Sequence, residues 1–387
     1  MEYRTKGCEP SPALSATREV LVVKKARPDE NMADIKKAFD ESSADLRLSN
    51  PNLLCRFSTR YRVGIYPYGV CTHFIYTSVP NTASQQEGDV LYNYDPDAFK
   101  KFLHVRDLAP EARLLLAVEV QAMLDTGRPA ERLASDARVW LGRNGVDGLH
   151  LSGIDLFPRN VAKITGIVTA LRSSFKRQYL LTVGIDRTQD VVKKELLNIL
   201  KMVDFASFRT CHLRHTDDYT TLVNPYSKYD NGTSGEFLGN EVDKLAKLAQ
   251  QSRNSHLCFT LSLGANQFRL RDPDHHGLGA PAKHVRDASY SEASAVAICR
   301  RKWNEVKYVE SAKGYYARSG KTWMGYDNEK TVAEKVRLAL SSHPDLCVML
   351  VEVDKDDFRG ICSEKHFPLA QSVRHAMRLY GNKGRAL

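Results

Sequence analysis

VDGLHLSGI, Val146–Ile154, reads as a short buried strand: an apolar start, a glycine after Asp147, then regular alternation. Alternate residues of a strand point to opposite faces, so His150, Ser152 and Ile154 share one face and Leu149, Leu151 and Gly153 the other. Helix-like text flanks it on both sides, over Pro129–Asn144 and Asn160–Lys176. One strand of a repeating strand–helix series is the expectation.

Working outward, the same rhythm runs from Asn52 to Tyr380. Strands are expected at Leu53–Thr59, Gly69–Val79, Ala112–Val120, Tyr179–Ile185, Val203–Leu213, His256–Ala265 and Leu346–Val353. Helices fall between them, the last three at Glu236–Gln251, Glu329–Ser341 and Pro368–Tyr380. Mixed, short signals interrupt the series after the seventh strand, up to about Gly325. Eight strands alternating with helices fit an α/β fold, a (β/α)8 TIM barrel. Residues 1–50 show one helix near Met32–Phe39 and no strand–helix pattern, and are expected to be a poorly ordered N-terminal extension; residues 51–387 are the barrel.

The chain has 387 residues, 42% of them hydrophobic, enough for a large core. Its formal charge of +10 could favour acidic partners such as sulfated glycans, but no block of five like charges stands out from a basic solvated surface. No apolar run approaches the length of a membrane span, and Met1-Glu-Tyr-Arg opens no signal-peptide core. No phosphate loop, dinucleotide fingerprint or nucleophile elbow is present, and neither a cofactor nor a nucleic-acid partner is expected.

Asp147-Gly148 and the alternation after it resemble the signature of family 18 chitinases, an Asp-Gly-x-x-Asp-x-Asp-x-Glu-like run on the fourth strand of a TIM barrel. Other segments are similar in order: Cys71–Tyr76 on the second strand; Gly277–Pro281 and Trp323–Asp327, where that family inserts a small α+β domain between strand seven and helix seven (here 271–325); and Asp356–Gly360 with Phe367–Leu369 at the barrel's end. The resemblance implies secretion, with disulfides Cys55–Cys71 and Cys299–Cys362. Cys211, Cys258 and Cys347 sit inside strand patterns and read as reduced apolar fillers; Cys8 is unassigned. Asn231-Gly-Thr233 is a glycosylation sequon.

Chitinases of this family use the substrate's N-acetyl oxygen as nucleophile, a Glu as acid, and an Asp and a Tyr as orienting groups. Laid onto the signature, their second Asp falls on His150, the third on Ser152 and the acid on Ile154. Isoleucine has no proton to give. On strand six the family's Met-Thr-Tyr-Asp falls on Arg209, Thr210, Cys211 and His212. On strand eight its Trp falls on Val351, and on strand three its Gly-Gly-Trp falls on Glu119, Val120 and Gln121. Metals are not expected: His275-His276 beside Asp272 and Asp274 fit no standard site. The acidic run Asp354–Asp357 reads as loop structure.

If alternation holds, Glu119, His150, Ser152 and Arg209 face the interior. The expected pocket is Glu119, His150 and Arg209, with Arg209 paired to Glu119, because an unpaired interior charge would cost several kcal/mol. The main expectation is a secreted, monomeric, catalytically silent chitinase-like protein that binds a glycan or protein ligand. Two alternatives stand beside it. One is a chitin-binding lectin, for which Tyr66, Tyr68, Tyr219 and Tyr226 are the aromatic supply. The other is a glycoside hydrolase with chemistry rebuilt around Glu119 and His150.

Overall fold

Largely apolar strands of four to nine residues build the ring. The computed structural model describes residues 51–58, 61–77, 94–213, 217–229, 236–252, 256–285 and 293–381. The extension at 1–50 with Cys8, and the sequon at Asn231, lie outside the described residues.

In chain order the elements are β1 (Leu53–Arg56), β2 (His73–Thr77), α1 (Pro96–Leu103), α2 (Val105–Leu108), β3 (Arg113–Glu119), α3 (Val120–Asp125), α4 (Ala130–Asn144), β4 (Gly148–Leu156) and α5 (Val161–Phe175). Then follow β5 (Leu180–Thr188), α6 (Lys193–Leu200), β6 (Phe205–Phe208), α7 (Leu238–Ala249) and β7 (His256–Ser262). An insertion supplies β8 (Asn266–Leu270), β9 (Ala282–His284), α8 (Ala295–Arg300), β10 (Glu305–Val309), β11 (Gly314–Ser319) and β12 (Thr322–Tyr326). The series closes with α9 (Glu329–Ser342), β13 (Cys347–Val351) and α10 (Pro368–Tyr380).

Strands β1-β13-β7-β6-β5-β4-β3-β2 form a closed barrel, and β10-β11-β12-β8-β9 form a separate five-stranded sheet. The barrel is parallel throughout, as the expected strand–helix alternation requires. Alternation sorts the side chains into two shells. Leu54, Ile75, Leu115, Ala117, Phe205 and Met349 fill the inside of the barrel. Their neighbours Leu53, Leu114, Leu116, Leu149 and Leu151 pack outward against the helix layer.

At the strands' N-terminal end a device recurs. Asp147, just before β4, accepts from the Leu114 amide at 2.7 Å and from Arg106 at 2.8 Å. Asp204, just before β6, accepts from the Leu181 amide at 2.8 Å and from Arg172 at 2.7 Å. Each carboxylate ties the start of the preceding strand to an arginine from a helix, so Asp147 of the signature works as a structural clamp.

Three disulfides join described residues: Cys55–Cys71, Cys299–Cys362 and Cys258–Cys347. The third corrects the reading of Cys258 and Cys347 as reduced fillers. They are register partners on adjacent parallel strands, side by side inside the barrel, with Cα atoms 4.2 Å apart. Sequence spacing gives no hint of this, because the two are 89 residues apart. Cys211 is a buried free thiol.

The acidic run is structural. Asp354 accepts from the Ser58 amide and hydroxyl at 2.6 and 2.5 Å. Asp356 accepts from the Ala370 amide at the start of α10, and Asp357 from those of Ile361 and Cys362. The insertion is pinned by a fully buried pair, Lys335 of α9 against Asp327 at the exit of β12, with Asn224 also donating to Asp327.

Candidate functional site at the barrel mouth

In a parallel barrel the strands' C-terminal ends form the working face. Here the decisive strand does not stay regular. Pairing of β4 with β5 runs without interruption from Gly148 to Leu151, then shifts twice, between Leu151 and Ile154 and again between Ile154 and Asp155. Gly153 takes φ +68°, a left-handed conformation that glycine adopts without steric cost.

The bulge changes which side chains look inward. Ile154 is fully buried in the helix-side core and pairs with Ile185, another outward residue. Leu156 is also on the helix side, and Asp155 between them turns toward the barrel. The expectation that Ile154 shares a face with His150 and Ser152 is therefore corrected. One extra residue in the strand inverts the parity beyond it. The inward carboxylate at this level is Asp155, whose Oδ1 lies 3.8 Å from Arg187 Nε and accepts no hydrogen bond.

Below the bulge the interior is neutral. His150 is fully buried, and its Nδ1 lies 2.8 Å from Thr182 Oγ1. Thr182 Oγ1 donates to the Leu149 carbonyl, so Nδ1 carries the proton and Nε2 is left bare, without a partner among the described residues. Burial, helped by the charge of Arg56, lowers the His150 pKa to about 3. A side chain on Gly184 would meet Nε2 at 3.0 Å, so the glycine makes room for the ring. Ser152 is buried one step above.

Glu119 and Arg209 keep the alternation of their strands, continuing the inner rows Leu115–Ala117 and Phe205–Ser207. Both are exposed, because they stand above the last buried layer. The premise of a buried ion pair is thereby removed, and no pair joins them among the described residues. Arg209 acts instead on Asp186, an inward residue at the exit of β5. Desolvation raises the Asp186 pKa, the charges of Arg209 and Arg56 oppose the rise, and Asp155 adds to it.

The family positions on β6 and β13 belong to a second cluster. His212 Nε2 lies 3.0 Å from Glu352 Oε2, and Ser262 Oγ donates to the same oxygen at 2.5 Å. Asn266 Nδ2 donates to the carbonyls of Thr221 and Leu222, which turns its Oδ1 to His212 Nδ1 at 3.0 Å. Burial pushes the Glu352 carboxyl up, but the bond and charge of His212 and the bond from Ser262 outweigh it and hold the pKa at about 2. His212 and Glu352 both have left-handed backbones, at φ +52° and +55°. Cys211 lies beneath, its thiol near 11 through burial, accepting from Thr260. Val351 is buried in the inner shell.

Sequence reasoning missed Asp155, Asp186 and Glu352; Ser262 stands in the strand-seven segment where the family usually carries a Tyr. For Asp155 a signal existed, an isolated glycine inside a strand pattern, which marks a bulge. The cluster around Glu352 joins three distant segments and left no local trace.

The expected aromatic supply is dispersed. Tyr66 and Tyr68 are buried, and Tyr66 packs edge-on against Phe57, Phe74 and Phe102. Tyr226 is half-buried; Tyr219 is 50% exposed, bridging to Pro281 of the insertion. His275 pairs with Asp272 at 2.7 Å on the surface while His276 turns to Glu305 at 3.1 Å, so the adjacent histidines do not converge.

The sequence profile of the glycosyl hydrolases family 18 matches residues 53–356. The Manduca sexta endochitinase is 25% identical over 381 residues, covering 86% of this chain and 68% of that protein. The chain spans only 37% of a Margaritifera margaritifera relative that is 28% identical over 185 residues. Among solved structures, the Ostrinia furnacalis Group IV chitinase superposes with a TM-score of 0.70 at 19% identity, covering 85% of this chain and all of that one. Human YKL-39, described as a pseudo-chitinase with retained chitooligosaccharide binding properties, superposes at 0.67 with 18% identity, over 85% of this chain and 100% of that one. With a closed eightfold barrel and a profile match over most of its length, the chain belongs to the glycosyl hydrolases family 18.

Proposed function

We propose that this protein is an extracellular family 18 barrel that binds a glycan at its C-terminal mouth without cleaving it. One observation carries the reading. The positions that the family resemblance assigns to Asp, Asp, Tyr and Asp hold His150, Ser152, Cys211 and His212. Substrate assistance needs an N-acetyl group oriented and its developing charge stabilised. His150 is neutral and turned to Thr182, Ser152 carries no charge, and His212 is bound to Glu352 and Asn266. YKL-39, with the same fold, is described as keeping binding as a pseudo-chitinase, which supports the reading. Three disulfides support an oxidising compartment.

A second reading, residual hydrolysis, is favoured by the bulge that brings Asp155 inward and by the endochitinase relative. A turnover assay on chito-oligosaccharides separates the two. The binding reading expects no product from the parent protein. Cleavage that disappears in Asp155→Asn would overturn it in favour of Asp155 as acid; cleavage that disappears in Glu119→Gln would place the chemistry on β3.

A further inference from the structure

Resting on the binding reading, we infer that the ligand at the mouth is an acidic oligosaccharide, whose sulfate or carboxylate groups are taken by the guanidinium groups of Arg56 and Arg209. Arg56 follows Leu54 on the inner face of β1, four strands around the ring from β5. Its charge is nevertheless felt at His150 and Asp186 on the opposite wall, and at Cys211. Arg209, at the exit of β6, acts on Asp186 and Cys211 as well. The two guanidinium groups thus stand at the exits of inner rows three strands apart around the ring, and both act on Asp186.

Neither arginine forms an ion pair among the described residues, although Arg56 is half-buried. A partly desolvated guanidinium with no carboxylate within ion-pair distance is unfavourable, and an anionic ligand group would offset that cost. The acidic residues nearby are largely committed. Glu352 is held by His212 and Ser262, and Asp155 lies against Arg187. Asp186 faces both arginines, and Glu119 is exposed on the β3 side. Neutral chitin would instead call for exposed aromatic faces to stack on. Among the described residues, the large exposed aromatics are Tyr219, on a bridge to the insertion, and Tyr380, on the last helix. Charge therefore replaces stacking as the means of recognition, in a chain of net charge +10.

The test is calorimetric titration of the full chain with a heparin-derived hexasaccharide, its desulfated and N-acetylated counterpart, and chitohexaose, at low and at moderate salt. The expected result is binding of the sulfated sugar that weakens with salt. Arg56→Gln and Arg209→Gln should each cost about tenfold in affinity, and the lysine variants should be intermediate because charge remains but the fork is lost. Lys194→Gln, on an outer helix, should bind as the parent does. Arg209 is exposed, so its variant keeps the test valid if Arg56→Gln fails to fold. Binding of chitohexaose but not the sulfated sugar would overturn this inference and leave the binding reading standing. Sulfated-sugar binding unchanged in both mouth variants would place the site elsewhere and overturn it. No binding of any of the three would overturn both.

Discussion

The two ends of β4 are built on opposite principles. At its entry the register is regular, Asp147 clamps β3 through a backbone amide, and the interior above it is neutral and closed. At its exit the register breaks twice, and the residues that emerge are charged: Asp155 is half-buried, and Asp186, Arg187 and Arg209 are open to solvent. The entry spends its polar groups on holding strands together; the exit leaves them available to a ligand. Substitutions at the entry should therefore cost stability and those at the exit should cost recognition. Each prediction below tests that division.

The largest effect should come from the buried histidines of the closed part. Burial lowers the pKa of His73 to about 4 and that of His150 to about 3, from an ordinary value of 6.5. Between those values the unfolded chain binds the protons and the folded chain does not. Their contribution is therefore intact above pH 6.5 and is lost as pH falls, at about 1.4 kcal/mol per pH unit for each histidine. Asp356, raised to about 7 by burial, works in the opposite sense, as do Asp186 and Asp354, so the total curve is shallower. Comparing parent with His150→Gln isolates one histidine. Urea unfolding should show the parent's advantage shrinking by about 1.4 kcal/mol per unit below pH 6.5. A constant gap would mean that His150 is charged in the fold, and that the interior is not closed.

Asp147→Ala comes next. It leaves the Leu114 amide without this acceptor in a partly buried site, leaves Arg106 only the Gly145 carbonyl, and should cost about 2–3 kcal/mol in denaturant unfolding. Asp155→Asn, eight residues on, should change stability by less than about 0.5 kcal/mol, since its Oδ1 accepts no hydrogen bond and stands 3.8 Å from an Arg187 side chain that is 63% exposed. Equal costs at the two aspartates would erase the distinction between the ends.

What could be read from the sequence follows the same line. The barrel, its strand order and the helix Pro368–Tyr380 were legible because periodicity reports on regular elements. Expected strands such as Val203–Leu213 ran past the observed Phe205–Phe208, because apolar text continues into the mouth after the ladder ends. Facing was legible as far as alternation survives: His150 and Ser152 are inward as read. Ile154 was not, because one added residue inverts every side chain beyond it. The Cys258–Cys347 bond and the Glu352 cluster depend on which strands close the ring, and pattern within one strand carries no such information.

Gly153 is where the two halves of β4 meet, and its replacement is the most specific test. A Cβ there would meet nothing within 4 Å, so sterics with neighbours are not at issue. The cost of alanine is conformational, about 1 kcal/mol for holding φ +68°. Two responses are open to the chain. If the bulge persists, Gly153→Ala loses about that much stability and the mouth keeps its binding behaviour. If the strand relaxes to regular pairing, the residue at 154 swings inward and Asp155 outward, and Ile154 leaves the helix-side core. That relaxation would expose a side chain worth about 2 kcal/mol of burial, more than the strain it relieves. The bulge should therefore hold, and unchanged ligand affinity with a small drop in unfolding midpoint is the expected pair of readings. The double variant Gly153→Ala with Ile154→Glu removes the apolar anchor, so regular pairing no longer costs that burial. A gain of chito-oligosaccharide cleavage in it, absent from either single variant, would show that the extra residue keeps this exit from carrying an acid in the family's slot.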